Sequence, residues 1–418
     1  KKPEETGFNI LVNGKTETAA TVTTTREGDK TVTTVVIDDH KIDEVLAQEG
    51  NKSVVTIPVT SGADVVTGTL NGQTVKNMAS EDAVLEIKTG QVTYTLPAAQ
   101  INIDAVLEQI GKQLKDIAVS VKISGPAAET VKTVEDTANK NNYQIIAGPI
   151  EFEITCSYGS KTVEVSKFNA YVERLIALPE GVNPSGITTG VVLNPDGTFS
   201  HVPTAATMID GKYYAKINSL TSSTYTVIYS PKTFKDVENH WAQKDINDMA
   251  SRLIISGVGV ELFEPERSIT RAEFAAVMVR ALGLGPEEYK NNYADVKAGE
   301  WYSKYISTAA HYGLVSGYDD GTFKPEEKIT RQEAMAILTR AMGVTRLGEE
   351  LEVEARDILA AFSDDGDVSG WAEDSVAKCV KTGIVTGKDN GRIAPLDNIT
   401  RAEAASMARR LLINSDLI

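Results

Sequence analysis

Ile269-Thr270-Arg271-Ala272-Glu273 recurs as Ile329-Thr330-Arg331-Gln332-Glu333 and again as Ile399-Thr400-Arg401-Ala402-Glu403. Thirty residues before each arginine stands a tryptophan, Trp241, Trp301 or Trp371, and the chain has no others. A spacing held three times marks an internal repeat, so residues 233–418 read as one helical unit used three times.

Each copy predicts two helices. In the first, Ile246, Ala250 and Ile254 stand four residues apart, matched by Ile306, Ala310 and Leu314 and by Val376, Val380 and Ile384. That spacing stacks them on one helix face. Cys379 occupies the position of Met249 and Ala309, which makes it a small core residue rather than a nucleophile. The second helix opens on a Thr-x-x-Glu capping box in every copy, Thr270/Glu273, Thr330/Glu333 and Thr400/Glu403. Phe274, Val277, Met278 and Ala281 then predict a single apolar face. Ala334, Ile337, Leu338 and Ala341 repeat it, as do Ala404, Met407, Ala408 and Leu411.

The arginine after each capping threonine breaks a rule. A helix N-terminus carries partial positive charge and prefers an acid, so Arg there costs about 0.3–1 kcal/mol. Two readings account for Arg271, Arg331 and Arg401. Beside free helix amides they form a seat for a carboxylate or phosphate; alternatively, each pairs with an acid of a neighbouring repeat. Arg280, Arg340 and Arg410 read as last-turn cations that suit the helix dipole. The loops between helices are turn-rich, with Asp319-Asp320-Gly321 and Asp389-Asn390-Gly391 in the second and third copies. Their acids do not follow a calcium-loop spacing, and a turn is the expectation. The first copy, Ser256-Gly257-Val258-Gly259-Val260-Glu261-Leu262, lacks that Asp/Asn-Gly turn.

Residues 1–232 have another texture, rich in Thr, Val, Ile and Ser. Strands are predicted at 31–37, 53–59, 91–96, 117–123 and 151–156, with a tight turn at Asn194-Pro195-Asp196-Gly197. Two short helical patterns, 41–50 and 102–111, resemble each other at an offset of 61 residues. In each, Asp43 or Asp104 is expected to cap the helix and Gly50 or Gly111 to end it. The predicted architecture is multidomain: a β-rich, sandwich-like half with short helices as modules 1–96 and 97–232, followed by the helical repeats of 233–418.

At 418 residues, several domains are expected. The formal charge is −16, divided as −7 over 1–232 and −9 over 233–418, so no broad basic surface is available for nucleic acid. No run of 18 apolar residues codes a membrane span. Two distant cysteines and four scattered histidines argue against a disulfide framework or a His/Cys metal site, and no cofactor is expected. The start, Lys1-Lys2-Pro3, reads as a trimmed or mature terminus, with room for sequence upstream.

The repeated residues resemble the S-layer homology family over about 233–285, 292–344 and 361–414. An aromatic-x-Asp opening (Phe234-Lys235-Asp236, Tyr293-Ala294-Asp295, Phe362-Ser363-Asp364), the tryptophan, a loop glycine and Ile-Thr-Arg-x-Glu carry the likeness. The resemblance implies an all-α, pseudo-threefold domain with binding grooves between adjacent copies. It further implies a secreted protein on a bacterial, Gram-positive surface, anchored to a secondary cell-wall polysaccharide linked to peptidoglycan, through its pyruvylated N-acetylmannosamine end. Self-association in a surface layer is a further implied partnership. Ligand-contacting residues implied by the same likeness are Asp236, Trp241, Gly257 and Arg271; Asp295, Trp301, Gly317 and Arg331; and Asp364, Trp371, Gly387 and Arg401. Each arginine would pair with the pyruvate carboxylate. The altered loop of the first copy counts against the groove holding Gly257. The third copy differs as well, with an expanded Asp364-Asp365-Gly366-Asp367 opening and an acidic insert near 347–361.

No catalytic motif occurs in the chain, and no enzymatic activity is expected of it. The β-rich half is then a spacer, an assembly unit or an adhesion module. The alternative is that the chain is the anchor of a cell-surface exoenzyme, a glycoside hydrolase or protease, with its catalytic part upstream or unrecognised.

Overall fold

The computed structural model describes residues 6–286, 288–290, 292–349 and 351–418. Two compact units emerge: Lys1–Phe199 with Ala206–Tyr229, and Ser200–Ala205 with Ser230–Ile418. The first unit is β-rich. Its strands begin with β1 (Thr6–Val12), β2 (Lys15–Glu27), β3 (Lys30–Ile37), β4 (Val54–Pro58), β5 (Val65–Asn71), β6 (Val84–Lys88) and β7 (Val92–Pro97). There follow β8 (Ala118–Ser124), β9 (Gln144–Tyr158), β10 (Lys161–Glu164), β11 (Lys167–Ala177) and β12 (Thr189–Leu193). Last come β15 (Lys212–Thr221) and β16 (Thr224–Tyr229), while most of β13 (Phe199–Val202) and the start of β14 (Thr204–Ile209) fall in the second unit. Every stretch read as a strand lies on one of these, and Gly197 closes the expected turn at a φ of +79°.

Thirteen of these strands run in one sheet in the order β12-β16-β9-β8-β5-β3-β2-β1-β4-β6-β7-β11-β15, and β10 pairs with β9 off that path. The pairs β3–β5 and β4–β6 are parallel neighbours. Because β5 pairs with β8 and β7 with β11, strands from either side of residue 96 share this sheet. Alternate burial along β5 gives it one core face. The sheet folds back on itself. Tyr94 of β7 and Phe152 of β9, far apart in strand order, bring their rings to 4.8 Å. A side chain added at Gly68 of β5 would lie 2.7 Å from Ile57 of β4, so the two faces are packed tightly. At the centre Arg174 is fully buried, with Tyr225 at 4.7 Å, Tyr94 at 4.9 Å and Phe152 at 5.1 Å. It donates to Val172 O and Thr221 O, and the aromatic faces offer the cation further stabilisation.

Four helices accompany the sheet: α1 (Asp39–Glu49), α2 (Gly72–Ser80), α3 (Ile103–Ile110) and α4 (Ala128–Lys140). The two helical patterns are α1 and α3, and Gly50 and Gly111 end them as expected. Their starts differ from expectation. Asp38, not Asp43, accepts the amide of Lys41. Asp104 sits inside the first turn of α3, after an Asn102 that makes no side-chain cap. The helices α2 and α4 were not foreseen; Asn71 caps α2 through the amide of Thr74.

The second unit contains the repeats. First helices are α5 (Gln243–Ser251), α7 (Ser303–His311) and α10 (Glu373–Lys381); second helices are α6 (Arg271–Ala281), α8 (Arg331–Thr345) and α11 (Arg401–Asn414). Between α8 and α10 a short α9 (Ala355–Leu359) forms in the acidic insert, whose Glu350 lies outside the described residues. All three capping boxes are formed, with both reciprocal bonds. The second helices are more buried than a single apolar face implies: in α6 only Glu273 and Arg280 escape burial. Each second helix packs against the first helix of the next copy, α6 on α7, α8 on α10 and α11 on α5. The unit is not purely helical. It includes Ser200–Ala205, where Thr204 O accepts from Arg252, and single β-bridges link the copies.

The α11–α5 seam joins the ends of the repeat array and is ionic. Arg409 Nε donates to Asp248 at 2.6 Å and Arg252 Nε to the same carboxylate at 2.8 Å, while Ser406 bonds Asp245. Val279 and Thr339 stand where Arg409 does in the other copies. Substituting Arg409→Ala leaves two partly buried acids short of a partner. The expected loss is about 2 kcal/mol, seen as earlier unfolding of the helical signal in denaturant titrations of the full chain.

Candidate functional site: three grooves between helical repeats

The Ile-Thr-Arg segments meet at one point. Ile269 N donates to Ile399 O, Ile399 N to Ile329 O and Ile329 N to Ile269 O, at 3.1–3.2 Å, closing a three-membered ring. All three isoleucines are buried. From this ring each second helix sets out with its first amides already occupied by the following copy. Arg271 N and Ala272 N donate to Glu327 O and Pro325 O; Arg331 N and Gln332 N to Asp397 O and Pro395 O; Arg401 N and Ala402 N to Arg267 O and Pro265 O. The free amides supposed for an anion site are therefore taken.

The arginine side chains follow the same direction. Arg271 Nε donates to Phe323 O at 2.9 Å and Nη1 to Glu333 at 3.0 Å. Arg331 matches it with Ile393 O at 2.8 Å and Glu403 at 3.1 Å. Arg401 donates to Phe263 O at 2.8 Å and Ser256 O at 2.6 Å, with Glu273 3.9 Å away. Of the two readings left open for these arginines, the ion pair with a neighbouring copy is the one formed. The partner is the capping-box glutamate, which thus closes its own helix and holds the previous one. The arginines are 7 %, 3 % and 9 % exposed. Burial pulls Arg331 and Arg401 below the ordinary guanidinium value.

The other implied contact residues fall into distinct places. Asp236 accepts the amides of Phe263 and Glu264, Asp295 those of Phe323 and Lys324, and Asp364 those of Ile393 and Ala394. Each carboxylate is turned onto the loop of its own copy, and none lines a groove. The glycines are demanded by packing. A Cβ at Gly257 would lie 2.7 Å from the Phe234 ring, at Gly317 2.5 Å from Tyr293 and at Gly387 2.9 Å from Phe362. The tryptophans are the exposed members, at 62 %, 54 % and 61 % for Trp241, Trp301 and Trp371.

Three grooves result, and each combines all three copies. One, of about 250 Å³, holds Gly257, Arg401 and Trp301. Another, about 160 Å³, holds Gly317, Arg271 and Trp371. The largest, about 530 Å³, holds Gly387, Arg331 and Trp241. Each groove is also lined by a residue the sequence reading assigned elsewhere: Arg280, Arg340 and Arg410 respectively. Only Arg280 lies in a last helical turn; α8 and α11 run on past their arginines. Arg280 donates to Tyr305 Oη at 2.9 Å, and Arg340 to Leu314 O and Ser316 Oγ. Their nine-residue spacing from Arg271, Arg331 and Arg401, two and a half helical turns, was the available signal. Tyr318, Lys388 and Glu266 also line grooves without having been singled out. Asp320, considered for calcium, accepts the amide and hydroxyl of Thr322 within its turn. Cys379 is buried in the core, and burial pushes its thiol up to about 12.

The fold and grooves define a repeat module with aromatic and cationic clefts at its surface. The chain carries three S-layer homology domains: that family's model matches residues 233–275, 292–335 and 361–405. Similar proteins include an amylopullulanase of Thermoanaerobacterium thermosulfurigenes, 38 % identical over 47 % of this chain and 10 % of that protein. The exoglucanase XynX of Acetivibrio thermocellus is 35 % identical over 47 % of this chain and 18 % of its own length. An S-layer protein of Bacillus thuringiensis subsp. finitimus is 28 % identical over 46 % of this chain and 24 % of its own. The chain thus spans between a tenth and a quarter of these relatives.

Two measurements test this construction. Gly317→Ala drives a methyl into Tyr293 and Thr322 O, whereas the tightest neighbour at Gly387 stands farther off. Gly317→Ala is expected to cost about 1–3 kcal/mol and to lower the melting temperature more than Gly387→Ala does. The second concerns pH. Burial opposes ionisation of Asp248 and Glu273, but Arg252 and Arg409 outweigh it at the first, and Arg267 and the Thr270 amide at the second. Both carboxyls are held below their ordinary values. Their stabilisation is complete above the unfolded-chain values of about 3.9 and 4.3 and is lost as pH falls through the folded ones. Thermal melts should hold their midpoint for the helical unit down to about pH 4 and drop below it.

Proposed function

We propose that residues 233–418 anchor a secreted bacterial surface protein to the cell wall, without a covalent bond, by seating secondary cell-wall polymer in the three grooves. The carrying observation is the recurrence, in every groove, of a half-exposed tryptophan beside an outer arginine and a clamped inner one. An indole face suits the apolar face of a sugar ring, and guanidinium groups suit an acidic substituent. On this reading the polymer end is a pyruvylated N-acetylmannosamine and the repeats act as a pseudo-threefold set. The buried arginines are less available than a free bidentate partner would be, so Arg280, Arg340 and Arg410 take a larger share of the carboxylate. The S-layer homology matches support the wall as the partner and the cell surface as the location. Self-association in a surface layer is compatible with the likeness to an S-layer protein.

A second reading has its own support, since proteins named amylopullulanase and exoglucanase share a match of anchor length, and one named endo-1,4-beta-xylanase a match over 24 % of the chain. In it, the chain is the anchor portion of an exoenzyme, and the β-rich half is a spacer or a polysaccharide-holding module. Sedimentation with wall sacculi tests the first reading. The full chain should pellet with intact sacculi and remain soluble with sacculi stripped of polymer by hydrofluoric acid. The triple variant Arg280→Ala, Arg340→Ala, Arg410→Ala should bind at least about tenfold more weakly, a loss near 1.4 kcal/mol. Equal binding to stripped sacculi would remove the polymer from the proposal. Turnover of starch, xylan or cellulose by the full chain would favour the enzyme reading.

A further inference from the structure

The three grooves share a plan but not their charge. At the position four residues before each clamping arginine, the second and third copies carry acids, Glu327 and Asp397, while the first carries Arg267. Arg267 takes hold of the capping glutamate of its own copy, with Nη2 2.6 Å from Glu273 Oε1 and Nη1 3.3 Å from Oε2. Its Nε lies 3.2 Å from Glu264. The consequence falls on Arg401. Its counterparts reach their glutamates at 3.0 and 3.1 Å, whereas Arg401 Nη1 stands 3.9 Å from Glu273, beyond hydrogen-bond reach. Two guanidinium groups share one carboxylate there, and each raises the cost of the other's charge.

The loop that distinguishes the first copy adds to this. In the Gly317 groove, Tyr318 lies over Arg271 at 4.6 Å and donates to Glu333. In the Gly387 groove, Lys388 sits 3.2 Å from Glu403 and 3.5 Å from Asp397. The residue at that place in the Gly257 groove is Val258, which has no polar group to offer. The groove linings carry the contrast: Arg267, Arg280 and Arg401 against Glu273 alone in the Gly257 groove. The Gly387 groove sets Arg331, Lys388 and Arg410 against Glu266, Asp389 and Glu403.

We infer that the Gly257 groove is the principal seat for the carboxylate of an acidic saccharide, and that Arg267 sets this preference by drawing Glu273 away from Arg401. The inference rests on the anchoring function proposed above. The incoming carboxylate supplies the hydrogen-bonded anion that Arg401 lacks, while Trp301 receives the sugar. The Gly317 and Gly387 grooves, whose arginines are already paired, bind the same group more weakly.

One tryptophan per groove makes this testable on the intact protein. The full chain labelled with 5-fluorotryptophan gives three fluorine resonances, each assigned by a single Trp→Phe substitution. The probes are the methyl glycoside of 4,6-pyruvylated N-acetylmannosamine and its unpyruvylated parent. The Trp301 line should shift at concentrations about tenfold lower than those that move Trp241 or Trp371, and only with the pyruvylated probe. Arg267→Asp, which restores the acid of the other copies, should raise the concentration needed at Trp301 about tenfold and leave the other two lines unchanged. Arg267→Gln is the second variant should the aspartate disturb folding, checked by its melting temperature. If Trp241 or Trp371 responds first, the inference is overturned while the anchoring function stands. If Trp301 leads but neither Arg267 variant changes it, the role of Arg267 is overturned. If no line moves with either probe, the anchoring function fails at its stated ligand.

Discussion

Everything in the helical unit depends on the ring of backbone bonds among Ile269, Ile329 and Ile399. Three segments identical in pattern each donate to one neighbour and accept from the other, so none can form its contacts without both partners. The ring fixes where each second helix begins. It also explains why those helices need no free-standing cap: the loop carbonyls of the next copy occupy the first two amides, and the Thr-x-x-Glu box takes the third. A helix start saturated in this way tolerates the arginine that a solvent-facing terminus disfavours. The glutamate at the third helical position balances the charge of the arginine arriving from the preceding copy.

Burying three guanidinium groups has a purpose that is mechanical before it is chemical. Each spans from one helix to the loop and cap of the next, and each is desolvated enough that losing its glutamate would leave a charge stranded. The grooves are the space left outside these clamps. Because a clamp always reaches forward by one copy while a tryptophan projects from another, no groove belongs to a single repeat. A substitution in one copy can therefore act on the arginine of another: Arg267 of the first copy holds the Glu273 that Arg401 of the third copy faces.

Much of this was legible before any coordinates. The helix pairs, the capping boxes, the core positions Ile246, Ile306 and Val376, and the strands of the β-rich half are local signals, set by periodicity and by turn chemistry within a few residues. Where the reading departed, the cause was a distant partner. Asp43 was expected to cap its helix, yet Asp38 takes the Lys41 amide. Asp236, Asp295 and Asp364 stood among the implied ligand contacts, yet loop amides 27 to 30 residues on had already claimed them. Arg280, Arg340 and Arg410 were set aside as dipole partners because their groove exists only between copies. Nothing in the composition announced Arg174, whose neighbours come from four different strands or the segments flanking them.

The sequence by itself determined the repeat, its three helix starts and the one tryptophan assigned to each copy, since these are encoded by residues within one or two helical turns or by a constant spacing. It also determined that the charge of −16 excludes a broad basic surface. Only the tertiary structure decided which copy's arginine, glycine and tryptophan share a groove, and which arginine keeps its glutamate. The physical reason is that pairing in a closed ring depends on distances between segments up to 164 residues apart. A difference of less than one ångström in such a distance separates the hydrogen-bonded pairs of Arg271 and Arg331 from the looser contact of Arg401 with Glu273.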